Sequence, residues 1–285
     1  MRYRAIISYF GANYVGWQRQ LNGLSVQEVL EKALSKVFGS PTQATASGRT
    51  DAGVHALGQV VHFDAQTSIP PEKIPYAVNA ELPDDVSMLF CETAPDDFNA
   101  RFSAKRKTYC YKLYVCRHRL PVLEQTHEHI VQALDIAAMR EAAKEIEGTH
   151  DFKCFEASGS VIKNTVRTVY GVDISATALN LPSSVSRADE EQNKGRSEDE
   201  PQNNVENADM NALDLKAADC CEICISVTGN GFLYNMVRII AGTLVYVGLH
   251  KLTVRDVQNI IENKDRTKAG KTLGAKGLHL MCVYY

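Results

Sequence analysis

Strand-like and helix-like hydrophobic periods follow one another through both halves of this chain, and no other feature limits its fold as tightly. Residues 1–10 alternate in character and predict a first strand. Ser25-x-x-Glu28 is a helix-start signature. Val26, Leu30, Ala33, Leu34 and Val37 follow it at helical spacing, and Gly39 supplies a stop. Further strands are predicted over 59–63, 108–115, 166–174, 221–227 and 279–285. Helices are predicted over 135–147, where Ile136, Met139, Ala143 and Ile146 share a face, and over 234–247, apolar enough to be buried. Thr253-x-x-Asp256 caps one more, carrying Val254, Val257, Ile260 and Ile261. Such interspersion leaves the α+β and α/β classes.

One stretch breaks the pattern. Residues 183–219 hold ten acids against Arg187, Lys194, Arg196 and Lys216, with almost no aromatic or β-branched residue. That composition buries too little apolar surface to offset ordering entropy. It predicts a disordered insertion between two strands. The stretch also hides the charge of the rest. The chain carries 31 Lys and Arg against 34 Asp and Glu, a net charge of -3; without the insertion the balance is +3. At 285 residues the length suits one large domain or two modest ones.

No run approaches the ~18 apolar residues that read as a membrane span, and the first residues lack a signal-peptide cleavage site. A soluble protein is expected. The eight cysteines predict free thiols in a reducing compartment, since a chain this large without a secretory signal is not a disulfide-framework domain. Cys221-x-x-Cys224 is the one metal-like spacing, but it falls on a predicted strand, where residues three apart face opposite ways. No second pair completes a tetrahedral site, so no metal is expected.

Three clusters can carry chemistry. In Gly48-Arg49-Thr50-Asp51-Ala52-Gly53-Val54-His55, glycines allow unusual backbone angles and close ligand approach around an Arg and an Asp. Asp51 is a candidate nucleophile or acid/base and Arg49 an anion or base contact; by spacing alone a glycine-rich turn with a surface Arg–Asp pair fits better. In residues 98–111, Arg101, Lys105, Arg106 and Lys107 interleave with Phe98, Phe102, Tyr109 and Tyr111, and Arg117 and Arg119 follow. Cations suit phosphates and aromatics offer stacking faces to unpaired bases; a solvated basic strand edge is the alternative. In Gly229-Asn230-Gly231-Phe232-Leu233-Tyr234-Asn235-Met236-Val237-Arg238, a glycine turn opens the apolar helix with Arg238 inside its apolar face. A buried Arg needs an acidic partner, and Asp51 is a candidate; snorkelling to solvent is the alternative.

Taken together, these clusters resemble the TruA-type tRNA pseudouridine synthases. The resemblance is carried by Gly48 to His55, by Arg101-Phe102-Ser103-Ala104, by Arg106 with Tyr109 and Tyr111, and by Gly231-Phe232 with Met236-Val237-Arg238. Tyr14-Val15-Gly16-Trp17-Gln18-Arg19-Gln20, Ala269-Gly270 and Gly277-Leu278 also match, so the likeness runs nearly end to end apart from the acidic insertion. Residues 272–276 depart from the family's usual run.

The resemblance implies conversion of uridine to pseudouridine in tRNA, without metal or organic cofactor. Asp51 would be the catalytic nucleophile. Tyr109 would stack on the target uracil, Arg238 would pair with Asp51, Arg49 would support the flipped nucleotide, and Phe232 would belong to the substrate site. Lys105, Arg106, Lys107, Arg117 and Arg119 are the RNA-backbone candidates. The implied fold is α+β: two ferredoxin-like or RRM-like domains, 1–104 and 105–285, forming one extended, mostly antiparallel sheet around a central cleft. The implied setting is a cytoplasmic homodimer acting on the anticodon stem-loop, around positions 38–40, where a uridine inside a stem must leave the stack before chemistry. Two other classes stay open. An inactive RNA-binding module would keep the scaffold, and a glycoside hydrolase would need a second acid roughly 5–10 Å from Asp51.

Overall fold

A computed structural model describes residues 1–159, 162–179 and 220–285. The acidic stretch expected over 183–219 lies outside the described residues. The rest is α+β: one ten-stranded, mostly antiparallel sheet with five helices among the described residues.

The N-terminal part contributes β1 (Arg2–Tyr9), α1 (Val26–Phe38), β2 (Thr45–Ala46), β3 (His55–Asp64), α2 (Ile74–Asn79) and β4 (Val86–Thr93). Alternation along β1 is strict: Tyr3, Ala5, Ile7 and Tyr9 are buried, while the residues between them are half-exposed. The inward set packs under α1, whose Val26, Leu30, Ala33 and Leu34 are buried. Ser25 caps that helix by accepting a hydrogen bond from the Glu28 amide, and Gly39 ends it in the left-handed region.

The C-terminal part contributes β5 (Arg106–Val115), β6 (Glu128–Ile130), α3 (Ile136–Ile146), β7 (Gly148–Asp151), β8 (Val166–Ala178) and β9 (Cys221–Gly229). It ends with α4 (Met236–Gly248), α5 (Val254–Asn263) and β10 (Leu278–Tyr284). Helix α4 is buried nearly all round, as its composition requires. It starts two residues later than its apolar run predicts, because Asn235 sits at φ 59° and interrupts the helical path. Thr253 and Asp256 form the reciprocal capping box of α5.

The sheet runs β4-β1-β3-β10-β5-β9-β8-β7, so the last strand of the chain lies in the middle. Strand β10 pairs antiparallel with β5 from Leu278 to Tyr284, but meets β3 in parallel at only His279–His55 and Leu280–Ala56.

The cysteines depart from expectation. Cys116 and Cys220 form a disulfide, while Cys91, Cys110, Cys154, Cys224 and Cys282 are free thiols. Register explains the pairing. Val115 opposes Cys221 where β5 and β9 end together, so the next residue outward on each strand faces the other, with Cα atoms 4.5 Å apart. Cys221 is buried and Cys224 half-exposed on β9, on opposite faces of the strand.

Helix α4 also fixes the segment ahead of β10 by direct backbone approach. A Cβ on Gly242 would meet the Lys271 carbonyl oxygen at 1.9 Å, and one on Gly270 would meet the Gly242 carbonyl carbon at 2.4 Å. The Gly270 amide donates to Thr243 Oγ1 at 2.9 Å. Overpacking of this kind costs about 1–3 kcal/mol. Gly242→Ala is therefore expected to lower the melting temperature by several degrees in a thermal scan.

Candidate active site

The Gly48–His55 segment enters β3, and hydrogen bonds hold it at two points before Asp51. The first grips Ser47 and Gly48. The Ser47 amide donates to Val60 O at 2.8 Å, and Ser47 Oγ to Gln59 Oε1 at 2.7 Å. Gln59 Nε2 donates to Gly48 O at 2.9 Å, and Lys107 Nζ to Ser47 O at 2.6 Å. The second grips Thr50. Its hydroxyl bonds the Tyr9 hydroxyl at 2.8 Å, and its carbonyl accepts from the Trp17 amide at 3.0 Å. Beyond Asp51, Gly53 takes φ 77°, a turn that favours glycine. Its amide donates to Tyr14 O at 3.3 Å, and the Val54 amide donates to Asp51 O at 3.1 Å. The backbone on both sides of Asp51 is thus fixed, and its side chain projects into a cavity.

That cavity holds about 840 Å³. Asp51 is the one carboxylate among its described lining residues, and the cations there are Arg49, Arg101 and Lys107. Tyr109, Phe232, Tyr234 and Phe102 supply aromatic surface. Tyr109 projects from β5 on the same side as Lys107 and Tyr111, and Phe232 meets its ring edge-on at 5.3 Å.

Arg238 reaches the same place from α4. Its Nε donates to Leu273 O at 2.7 Å and its Nη1 to Asn235 Oδ1 at 2.6 Å. Nη1 stands 3.9 Å from Asp51 Oδ2, an ion pair too long for a hydrogen bond. The guanidinium is therefore held by groups that do not depend on Asp51. Burial raises the Asp51 pKa above the ordinary aspartate value, and Arg238 partly offsets the rise. Burial, with Tyr9 and Asp51 close by, raises Tyr109 well above a free phenol, so it stays protonated at neutral pH. Burial, with Arg101 nearby, brings the Lys107 ammonium down to about 8.

The fold thus gathers Asp51, Arg49, Tyr109, Phe232, Lys107 and Arg238. It does not gather the remaining cations named from sequence. Lys105 and Arg106 border a separate cavity with Arg4 and Tyr284, and the Arg106 guanidinium lies 4.2 Å from the Tyr284 ring centre. Arg106 alternates with Lys107, so it faces the other side of the sheet. Arg117 and Arg119 are exposed on the loop after β5, where Arg119 pairs with Glu124 at 3.7 Å.

Sequence reasoning passed over Ser47, Gln59 and Asn235. Gln59 had a usable signal. It occupies an inward strand position beside Val61 and Phe63 and is fully buried, and a buried amide must find partners.

Comparison with known proteins places these residues in context. A family described as tRNA pseudouridine synthase matches residues 5–103 and 142–285. A tRNA pseudouridine synthase A from Ruminiclostridium cellulolyticum is 41% identical over 282 residues, covering 99% of this chain and 98% of its own length. One from Bacillus subtilis is 40% identical over 287 residues, covering 100% of this chain and 99% of its own. One from Thermoanaerobacter pseudethanolicus is 41% identical over 280 residues, with 98% coverage of each.

The Asp51 environment makes a titration prediction. Its carboxyl should titrate above the ordinary aspartate value, because burial outweighs the pull of Arg238. Arg238→Met removes the pull and should move the midpoint to still higher pH. Carbon-13 NMR of labelled aspartate carboxyls, followed against pH, reads both; a downward move would contradict the assigned balance.

Proposed function

Because this chain belongs to the tRNA pseudouridine synthase family, we propose that the Asp51 carboxylate is the nucleophile of its reaction. The protein is an enzyme that isomerises uridine to pseudouridine in tRNA. The reaction breaks the N-glycosidic bond and rejoins base and ribose through carbon. A carboxylate that forms a covalent intermediate splits that hard step into easier ones. The observation that carries the proposal is the cavity itself: one carboxylate, held at its backbone on both sides, among cations and aromatic rings. A glycoside hydrolase would need a second acid beside it, and none lines this cavity among the described residues.

The other roles follow from position. Arg238 favours the ionised form of Asp51 against the cost of burial. Tyr109 offers its ring to the target uracil, and its protonated phenol can donate a hydrogen bond or a proton. Phe232 braces that ring from the edge. Arg49, adjacent to the loop clamp, supports the flipped nucleotide from the cavity side. Arg101 and Lys107 suit RNA phosphates inside the cavity.

The proposed substrate region is the anticodon stem-loop, around positions 38–40, and the working unit a cytoplasmic homodimer. Lys105, Arg106, Arg117 and Arg119 lie outside the cavity and stay candidates for contacts to the RNA backbone. We also keep the division near residue 104, a reading supported by the gap between the two matched stretches. Among the described residues no helix is long and apolar enough to cross a membrane.

Asp51→Ala is expected to abolish pseudouridine formation, measured by tritium release from C5-labelled uracil in tRNA, while tRNA binding persists. Activity surviving in the variant would remove Asp51 as nucleophile, and inactivity of the unaltered enzyme on every tRNA would favour a binding module. Because cations meet phosphates, affinity should fall about tenfold or more between about 50 and about 200 mM salt. Unchanged affinity across that range would contradict the electrostatic role.

A further inference from the structure

Most large apolar side chains here are buried, yet two aromatic rings stand exposed where the Asp51 cavity opens. Phe102 is 80% exposed and Tyr234 46%, and both border that cavity. They come from opposite parts of the chain: Phe102 from the turn before β5, Tyr234 from the turn before α4.

Neither ring is exposed through looseness of its backbone. Asn99 Oδ1 accepts from the Arg101 amide at 2.9 Å and from the Phe102 amide at 3.1 Å. Ser103 closes the same turn: its amide donates to Asn99 O at 2.9 Å, and its Oγ accepts from the Asn99 amide at 3.1 Å. The Arg101 guanidinium lies 5.5 Å from the Phe102 ring centre. Tyr234 follows buried Leu233 and precedes Asn235, whose side chain anchors Arg238. Its carbonyl accepts from the Ala157 amide at 3.1 Å. The turn that sets the cation beside Asp51 therefore also presents this ring.

We propose that Phe102 and Tyr234 form a stacking clamp, each taking one of the two bases that flank the target uridine once it has entered the cavity. This rests on the reading of the cavity as the uridine site. A uridine that leaves its stack exposes a face on each neighbour, at a cost of a few kcal/mol. An aromatic ring presented at that spot covers the face, and it does so for any base, since every base has a π-face. The nearby cations, Arg49, Arg101 and Lys107, suit the phosphates of the same three nucleotides. The clamp therefore recognises the flipped geometry and not the flanking sequence.

The test is single-turnover pseudouridine formation with tRNA carrying an abasic site on the 5′ or the 3′ side of the target. Phe102→Ala and Tyr234→Ala should each raise the half-saturating concentration about tenfold on intact tRNA. The saturated rate should stay within about twofold, and Phe102→Tyr and Tyr234→Phe should restore binding. With the unaltered enzyme, an abasic site on either flank should weaken binding by a similar factor. Phe102→Ala should be insensitive to the abasic site on one flank, and Tyr234→Ala on the other. If both variants lose as much as the unaltered enzyme on both flanks, the clamp is wrong. Turnover by Asp51→Ala would instead sink the nucleophile, and the abasic comparison would still report on the clamp.

Discussion

Strand β10 fills the seam between β3 and β5, and the site depends on that closure. Its antiparallel ladder with β5 runs nearly its full length, while its contact with β3 is two residues of parallel pairing. That short contact falls at His55, the end of the segment that carries Asp51. The ladder places Leu280 opposite Tyr109, beside the ring that lines the cavity. The final strand thus sets the distance between the Asp51 loop and the β5 aromatic. The two groups are 58 positions apart in the chain, one on the loop entering β3 and the other on β5. His55 reinforces the junction. One ring nitrogen accepts from the Gly11 amide at 3.0 Å, the other donates to Gln125 O at 3.0 Å, and the ring stacks on His279 at 4.7 Å. Burial lowers the pKa of both imidazoles, His279 to about 3, so they act as neutral staples near physiological pH.

The same logic places the charges. A carboxylate drawn partly out of water tends to take up a proton, and a cation nearby opposes that. Here the cation is held by Leu273 O and Asn235 Oδ1, and Leu273 lies in the segment pressed against Gly242. Packing between α4 and the chain before β10 thereby fixes the electrostatics at Asp51. Lys107 does comparable service on the other side, where its ammonium holds the Ser47 carbonyl. A residue expected to face phosphate thus also supports the loop, because strand alternation turns it inward while Arg106 turns out.

Elements with a clean period and a chemical cap were legible. Helix α1 has Ser25 and Gly39, α5 has its reciprocal box, and β1 alternates. Strand β4 was not legible, because Leu89 and Phe90 are both exposed and a register shift against β1 interrupts its period of two. Helix α2, six residues with Pro75 in its first turn, is too short to show a face. The disulfide was invisible for another reason: Cys116 and Cys220 are 104 positions apart, and only the β5–β9 register aligns them.

By itself the sequence determined the class of fold, the loop that carries Asp51, and the family whose chemistry that loop implies. These are local properties: hydrophobic period, capping residues, and a run of glycines around reactive side chains. Only the tertiary structure decided which cations share a space with Asp51. Lys107 joins it while Arg106, one position earlier, does not, since adjacent strand residues face opposite ways and the sheet must be assembled before either face has neighbours. It also decided that Arg238 is held at 3.9 Å by a carbonyl from another segment, a distance set by backbone packing and not by either charged residue.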